Sequence, residues 1–564
     1  MALAALCAPF VVFGLIQAWD DSPTWDEGIY IAAGATIITR HQITIDIEHP
    51  PLAKILAAAP ALLARPVIPD VASLHQGREF DYAGTFVEAN RQAGKLRRVV
   101  FLARLLPLAE AVAVALVLYA LAATLFGRAA GLVAAAVWLV NPFFLGLGHV
   151  GNMDVPATLT TVVAALLLVR LLRGPTWWRT AGLGLAVGVA LLVRSTGFFL
   201  AAAMALGAGV AMQRSRPNQL ARRRLVLTVA AGSLVAVIAW MSVWVGIRGF
   251  SPHPWPAPPA SAQQVVIANA ASSLPWSARL ATAVPWPREY ADGIRYLAVV
   301  STPPGPGFLL GRAWDGGRWW YWPGAMLVKL PLTTLLALAA GLIILVGMLR
   351  HDRRRRLEVT LALALPTLVL TVFVVTQPRD QGLRYLAPVI ALAAVAASPL
   401  ARIGHALIGR VILAVVLAAQ LLALAASHPH SLAWTAPPFR PGYRVEADAN
   451  LDWNQDFYRL EAWAVGKRPW VAYFGAPSIP LSAVPGARQL LHADAHAVQG
   501  WVAVSGSILT TYDRDALSWL RGYCPVGTIG GSFIVYHLPG PPDLRPGPVV
   551  PARECPGPDS RRVS

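Results

Sequence analysis

Long apolar segments separated by short charged turns run through the first three quarters of the chain. About eleven membrane-spanning segments can be drawn, since a helix needs ~20 residues to cross the hydrocarbon core of a bilayer. Two of them are short halves of residues 181–213, separated by a break at residues 194–197. A broken helix is tolerated in a membrane where its backbone lines a cavity. The pattern predicts a polytopic α-helical membrane protein with spans at about residues 2–18, 99–123, 129–147, 154–170, 181–213, 225–246, 323–349, 358–376, 384–400 and 405–426.

The pattern changes near residue 428, where long apolar runs give way to mixed sequence. Three short segments rich in Val, Tyr, Phe or Trp and bounded by Gly or Pro predict strands, at residues 470–474, 501–505 and 532–538. Helices are predicted at residues 456–464 and 513–520. The C-terminal part is therefore expected to be a small α/β domain.

Arginine-rich turns all fall at one set of segment ends. By the positive-inside rule these turns face the cytoplasm, so the polar motifs lie on the outer face of the inner or plasma membrane. The basic turns are at Arg128 and at about residues 170–179, 214–224, 350–356 and 402–410. The predicted parts are a transmembrane domain at 1–427 with outer loops 19–97 and 248–322, an outer α/β domain at 428–540, and a poorly ordered tail at 541–564.

Composition agrees with a membrane protein. Apolar residues make up 56% of the chain and charged residues 13%, with a mean hydropathy of +0.53, whereas soluble domains have about 25% charged residues. The net charge of +18 could indicate a nucleic-acid partner. The basic residues instead lie in short clusters between apolar segments, which argues for topology and for the lipid bilayer as partner, and against nucleic acid.

Three cysteines place few constraints on the fold. Cys7 lies inside the first apolar segment and is expected to be a buried thiol. Cys524 and Cys555 fall in the outer C-terminal part, where an oxidising compartment would permit a disulfide between them. The sequence does not decide whether this bridge forms.

Three carboxylates stand at the outer ends of predicted spans. Asp26 and Glu27 follow the first span directly, and such a pair can act as a general base or bind a metal. The alternative is that they are solvated acids at a helix start. Asp154 precedes Val155 and Pro156, which is typical of a helix N-cap with proline in the first turn. Capping and a functional role are compatible.

Three cations lie beside apolar segments on the same face. A charge at that depth is costly unless it is paired or functional. Arg194 and Arg384 suit phosphate, because a planar guanidinium can donate two parallel hydrogen bonds. The alternative for these two and for Lys54 is that each extends its charge to the interface. If the face is an active site, Asp26, Asp154, Arg194 and Arg384 should converge.

Aromatic residues and one histidine complete the candidates. Trp319 to Trp322 precede a span, which is typical of an interfacial aromatic belt, and sugar stacking is the functional alternative. His49 stands before Pro50 and Pro51, whose rigidity suggests a fixed position. The sequence contains no zinc-type His/Cys cluster, no Walker loop and no nucleophile elbow.

Taken in order, these motifs resemble the GT-C glycosyltransferases of the protein O-mannosyltransferase superfamily, relatives of glycosyltransferase family 39 and of the aminoarabinose transferases. Each motif alone is weak, but the ordered set covers most of the chain. The motifs are Asp26-Glu27, His49-Pro-Pro-Leu-x-Lys54, Asp154-x-Pro156, Gly317-x-Trp-Trp-Tyr321 with Val328-Lys-Leu-Pro331, Gly382-x-Arg-Tyr385, and Asn450-Leu-Asp-Trp-Asn-Gln-Asp456.

The resemblance implies a GT-C fold and transfer of a sugar, expected to be a hexose such as mannose, from a polyprenyl-phosphate carrier to an acceptor hydroxyl. Asp26 would be the catalytic base and Glu27 would help to position it. No nucleotide is required, and a divalent cation near these acids is neither required nor excluded. The substrate-binding residues would be His49, Lys54, Asp154, Arg194, Trp320, Tyr321, Arg384 and Tyr385.

The chain also departs from the family pattern. Arg194 stands where relatives often have Lys, Asn454 replaces a usual Gly, and the aromatic run ending at Pro323 is one residue shorter. The acceptor therefore stays open among protein Ser/Thr, a lipid and a cell-wall glycan. A polytopic transporter and a binding scaffold are the alternatives from other classes.

Overall fold

The computed structural model describes residues 1–70, 79–215, 218–252, 274–473 and 479–547. It is mostly helical, with a small mixed sheet near the C-terminus. The helices that follow the predicted spans are α1 (Ala2–Asp20), α5 (Leu96–Phe126), α6 (Arg128–Leu139), α7 (Pro142–Gly148), α8 (Asp154–Arg173), α9 (Trp177–Val193), α10 (Gly197–Arg214), α11 (Ala221–Phe250), α15 (Leu332–Leu349), α16 (Arg353–Val359), α17 (Leu365–Val375), α18 (Ala387–Ala397) and α19 (Leu407–Ser427).

The polytopic architecture predicted from the apolar segments is confirmed. Within the described residues, nine helical segments are long and apolar enough to cross a membrane, and α6 with α7, bent by 68° between them, is a tenth candidate. The helix α9 is the eleventh segment and has only 17 residues. The predicted break at residues 194–197 is present, where α9 ends and α10 begins. The count of eleven thus becomes nine or ten spans plus one shorter apolar helix.

The outermost helices expose apolar side chains. Helix α19 is among the most apolar helices in the chain. Its exposed side chains include Leu407, Ile408, Val411 and Val415. A contiguous apolar face of this kind is unfavourable in water and favourable against lipid tails. The buried centre is formed mainly by α5, α6, α8 and α18, which pack against one another.

The first outer loop folds into helices of its own, α2 (Trp25–Arg40), α3 (Pro51–Ala61) and α4 (Glu79–Gln92). The sequence predicts that the apolar stretch 52–63 lies at the interface or re-enters the membrane. In the structure, α3 packs on α2 and α5, and its position relative to the membrane stays a prediction. Gly34 of α2 makes this close approach possible, because a β-carbon there would meet the Lys54 backbone. The loop is therefore a packed layer over the helix bundle.

The second outer loop is more regular than its sequence suggests. Its described part contains α12 (Trp276–Ala283), α13 (Arg288–Val300) and a hairpin of β1 (Pro306–Leu309) and β2 (Arg312–Asp315). The expectation of a loop without helices is thus wrong for residues 288–300. This segment buries Tyr290 and Ala291, and packing of one face stabilises a short helix that propensity alone would not. A short helix, α14 (Tyr321–Lys329), leads into α15.

The C-terminal part holds a five-stranded sheet of order β4-β3-β5-β7-β6, in which β5 runs parallel to β3 and antiparallel to β7. All three predicted strands are present, although Phe474 lies outside the described residues. The predicted helix at 456–464 is α20 (Phe457–Ala464). The strands are β3 (Trp470–Ala472), β4 (Arg488–Gln489), β5 (Gly500–Ser505), β6 (Gly527–Ile529) and β7 (Phe533–Leu538).

The helix predicted at 513–520 is wrong. A π-turn at Ile508–Tyr512 and a 3₁₀ turn at Ser518–Gly522 occupy this region instead, because Leu517, Trp519 and Leu520 turn inward onto the sheet. Cys7 is a free cysteine, only partly buried. Cys555 and residues 548–564 of the predicted tail lie outside the described residues.

Candidate active site

Four charged side chains from four separate elements meet at one end of the helix bundle. Arg384 Nη1 lies 3.1 Å from Asp26 Oδ2 and 3.7 Å from Asp154 Oδ2. Arg194 donates a hydrogen bond to the other oxygen of Asp154. The side chains of Asp26 and the two arginines keep 13–17% of their surface exposed, whereas Asp154 keeps 2%. The structure therefore brings together the four residues whose convergence the sequence predicts.

Asp26 and Asp154 are held at helix starts by neighbours that take over the capping. Thr24 and Glu27 form a capping box around the first turn of α2. The start of α8 is capped by Asn152. Its Oδ1 accepts hydrogen bonds from the backbone N–H groups of Asp154, at 2.9 Å, and Val155, at 3.0 Å. The predicted N-cap role of Asp154 is thus filled by Asn152. Both Asp carboxylates remain available to the arginines.

Arg384 lies on a turn that begins at a glycine. Gly382 has φ = 103°, a backbone conformation that favours glycine, and it begins the 3₁₀ turn Leu383–Leu386. The Arg384 guanidinium lies 4.2 Å from the ring centre of Trp453 and 5.2 Å from that of Tyr385. Arg194 lies over the same Tyr385 ring at 4.7 Å. Tyr385 therefore contacts both guanidiniums.

Glu27 does not face the open site. Its carboxylate is fully buried and binds Arg104 through two hydrogen bonds of 2.8 and 2.6 Å. It also accepts from the backbone N–H groups of Thr24 and Gly151. Burial opposes ionisation, but the Arg104 guanidinium and these hydrogen bonds hold the pKa of Glu27 below its usual value. The catalytic role of Glu27 stays a prediction, and the contacts of its carboxylate fit the other role considered, positioning Asp26.

Lys54 of α3 and His49 of the loop before it contact each other and differ in exposure. The Lys54 ammonium is fully buried and donates to the carbonyl oxygens of Asp46, at 2.5 Å, and His49, at 2.8 Å. These contacts close the 45–49 loop, and contact of Lys54 with substrate stays a prediction. His49 stays partly exposed, with Nδ1 2.7 Å from Asp46 and its ring edge-on to Tyr30.

In the part of the chain that the structure describes, the group that could hold a metal ion lies in this loop and does not include Asp26 or Glu27. Among the described residues one group could hold a metal, Asp46, Glu48 and His49, whose ligand atoms lie within 4.8 Å of one another. Burial, then Asp46, raises the pKa of Glu48 to about 7. Lys54 Nζ already lies 3.3 Å from Asp46 Oδ2 and supplies a positive charge. The Lys54 ammonium therefore offsets part of the negative charge of these carboxylates.

The aromatic motif divides in two. Tyr321 is buried, and its hydroxyl accepts a hydrogen bond from Asn450 at 3.0 Å. Its contact with substrate stays a prediction. Trp320 is 38% exposed and packs at 4.6 Å against Trp314 of the hairpin. Trp319 is 72% exposed. The aromatic surface open to a ligand is thus formed by the two tryptophans.

The segment 450–457 supplies contacts that sequence reasoning did not assign. Trp453 is almost fully buried, and its ring is the one over which Arg384 lies. Asp452 accepts hydrogen bonds from Ser505 and from the Ser507 backbone; burial raises its pKa to about 6. The sequence showed that residues 450–456 form a motif, but it did not indicate that Trp453 of this motif contacts Arg384.

Asn454 explains one departure from the family pattern. Its φ is 73°, in the left-handed region that glycine adopts freely and asparagine tolerates. Its Nδ2 donates to Pro23 O at 3.3 Å. We expect Asn454→Gly to change the free energy of unfolding by less than ~1 kcal/mol, and Asn454→Val to cost about 1 to 3 kcal/mol. Thermal unfolding in detergent measures both; equal stability of the two variants would contradict the strained turn.

A family match covers the middle of this arrangement. The model of the dolichyl-phosphate-mannose-protein mannosyltransferase family matches residues 95–244. This stretch contains Asp154 and Arg194, whereas Asp26 and Arg384 lie outside it. No curated protein sequence matches the chain.

The chain is also similar to solved structures. ArnT from Cupriavidus metallidurans bound to undecaprenyl phosphate is 14% identical, with a TM-score of 0.47, over 94% of this chain and 97% of that one. The apo oligosaccharyltransferase of Archaeoglobus fulgidus is 14% identical, with a TM-score of 0.43, over 76% of this chain. The aligned region spans 54%, about half, of that protein's length. The family match at residues 95–244 covers about a quarter of the chain and agrees with the resemblance seen in the motifs, which extends beyond it.

Proposed function

We propose that the protein transfers a sugar from a polyprenyl-phosphate carrier to an acceptor hydroxyl, with Asp26 as the general base. The observation that carries this proposal is the meeting of Asp26 and Asp154 with Arg194 and Arg384 in one partly exposed site. The donor class is supported by the family match, whose description names dolichyl-phosphate-mannose. Mannose is therefore the sugar to test first.

The two arginines suit the donor phosphate. Guanidinium groups bind phosphate oxygens through parallel hydrogen bonds, and here Tyr385 lies beside both of them. The Nε of Arg384 is buried and has no hydrogen-bond partner among the described residues, so this donor is available to a ligand. A phosphate oxygen would also share the Nη1 that now contacts Asp26.

The reaction follows from these positions as a single displacement. The acceptor oxygen bonds to the anomeric carbon as the bond from that carbon to the phosphate oxygen breaks. The acceptor proton passes to the Asp26 carboxylate, and the charge on the departing lipid phosphate is stabilised by Arg194 and Arg384. Attack and departure occur on opposite faces, so the anomeric configuration inverts. Asp154 orients Arg194 throughout.

The direction of the helices supports an orientation of the protein in the membrane. Helix α5 starts on the side of the site and ends at Phe126, next to the basic turn at Arg128. With basic turns facing the cytoplasm, the site faces outward in the plasma membrane. The acceptor hydroxyl then belongs to a protein, a lipid or a cell-wall glycan. The exposed Trp319 and Trp320 offer a surface on which a sugar ring can stack.

The test is transfer of radiolabelled mannose from polyprenyl-phosphate-mannose to membrane extract by the purified protein. We expect labelled product with the wild type and none with Arg384→Ala, because that variant removes a phosphate ligand. Arg97→Ala is the matched control, since Arg97 pairs with Asp20 at an exposed position. No transfer from any of a panel of lipid-linked sugars would overturn the proposal and leave a transporter and a binding scaffold as the remaining classes.

A further inference from the structure

Arg384 rests on a residue of the C-terminal part of the chain. Its guanidinium carbon lies 4.2 Å from the ring centre of Trp453, closer than to Tyr385. The indole is 2% exposed, so water does not screen the attraction between cation and ring. A flexible arginine held in this way has one preferred position, which is the position that the proposed function assigns to a phosphate ligand.

The backbone around Trp453 also holds the start of α2. The carbonyl oxygen of Trp453 accepts from the N–H of Trp25 at 3.0 Å, one residue before Asp26. Ser22 donates its N–H to the Gln455 carbonyl at 2.9 Å. The same short segment therefore fixes the approach of the chain to the catalytic carboxylate.

A third set of contacts fixes the turn that carries Arg384. Asn450 Oδ1 accepts from the N–H of Leu383 at 2.8 Å, one residue before the arginine. The Asn450 carbonyl accepts from the buried Lys329 ammonium at 2.6 Å. Residues 450–457 thus contact the chain immediately before both Asp26 and Arg384, and set the distance between the two side chains.

We propose that Trp453 is a positioning residue of the active site, holding the Arg384 guanidinium through its indole face, and that segment 450–457 is part of the catalytic centre. This inference rests on the proposed function. Its consequence is that loss of the indole face weakens binding of the donor phosphate, with a smaller effect on folding.

The experiment compares Trp453→Leu with Trp453→Phe in the full-length protein. Leucine keeps an apolar side chain and removes the aromatic face, whereas phenylalanine keeps a face. We expect Trp453→Leu to weaken binding of undecaprenyl phosphate and to raise the donor KM about tenfold, and Trp453→Phe to stay within about threefold of the wild type. Trp519→Leu is the matched control, because Trp519 is a buried tryptophan of the sheet domain; it should lower thermal stability without changing donor affinity.

The outcomes separate this inference from the proposed function. Unchanged lipid-phosphate affinity in Trp453→Leu, or equal losses in the leucine and phenylalanine variants, would overturn the positioning role. Wild-type protein that binds undecaprenyl phosphate but transfers no sugar overturns the proposed function, while the binding comparison still decides the role of Trp453. Absence of wild-type binding overturns both. If Trp453→Leu does not fold, Trp453→Met replaces it in the same comparison.

Discussion

Asp26→Asn is expected to abolish sugar transfer while leaving the protein folded and able to bind the lipid phosphate. The amide is nearly the same size as the carboxylate but cannot accept the acceptor proton, and general-base catalysis contributes about 10²- to 10⁴-fold in rate. The loss should therefore appear in kcat. Because Asp26 also contacts Arg384, removing its charge should leave phosphate affinity equal or higher.

The measurements are single-turnover transfer and equilibrium binding of undecaprenyl phosphate with the same protein. Asp20→Asn is the matched control, because Asp20 precedes the same loop and pairs with Arg97 at an exposed position. It should keep wild-type rates. A variant Asp26→Asn that retains more than about a tenth of the wild-type rate would show that another group accepts the proton.

Glu27→Gln is expected to produce the largest loss of stability among single substitutions in the site. It leaves the fully buried Arg104 guanidinium without its carboxylate partner, and breaking a buried ion pair costs about 3 to 5 kcal/mol. It also weakens the acceptor of the Thr24 and Gly151 N–H groups. Thermal unfolding in detergent, followed together with sugar transfer, should show a lower midpoint and reduced activity.

Glu88→Gln supplies the comparison for this second prediction. Glu88 pairs with Arg91 at a partly exposed position of α4, where ion pairs contribute about 0 to 1 kcal/mol. Its midpoint should stay close to that of the wild type. Equal midpoints for Glu27→Gln and Glu88→Gln would contradict a structural role for the buried pair, and would return Glu27 to the catalytic residues.

Much of the architecture could be predicted because the bilayer imposes a simple rule on sequence. Apolar segments of fixed length had to be helices, and their alternation placed the starts of α2 and α8, the break after α9 and the turn before α18 at one end. That reasoning was enough to predict that Asp26, Asp154, Arg194 and Arg384 converge. A different pattern located the three strands of the C-terminal part, which carry β-branched and aromatic residues between Gly or Pro.

Which charged residues face the site and which support it was decided only by the tertiary structure. Asp26 and Glu27 are neighbours in sequence, yet successive helix positions point about 100° apart, so one faces the arginines and the other is buried against Arg104. The Lys54 ammonium also points inward, where it donates to carbonyl oxygens of the 45–49 loop. Trp453 is more than sixty residues from Arg384 in the chain and contacts it only because the C-terminal part folds back over α2. Hydropathy determined the membrane fold and one shared face, whereas long-range packing determined which side chains on that face are free to act.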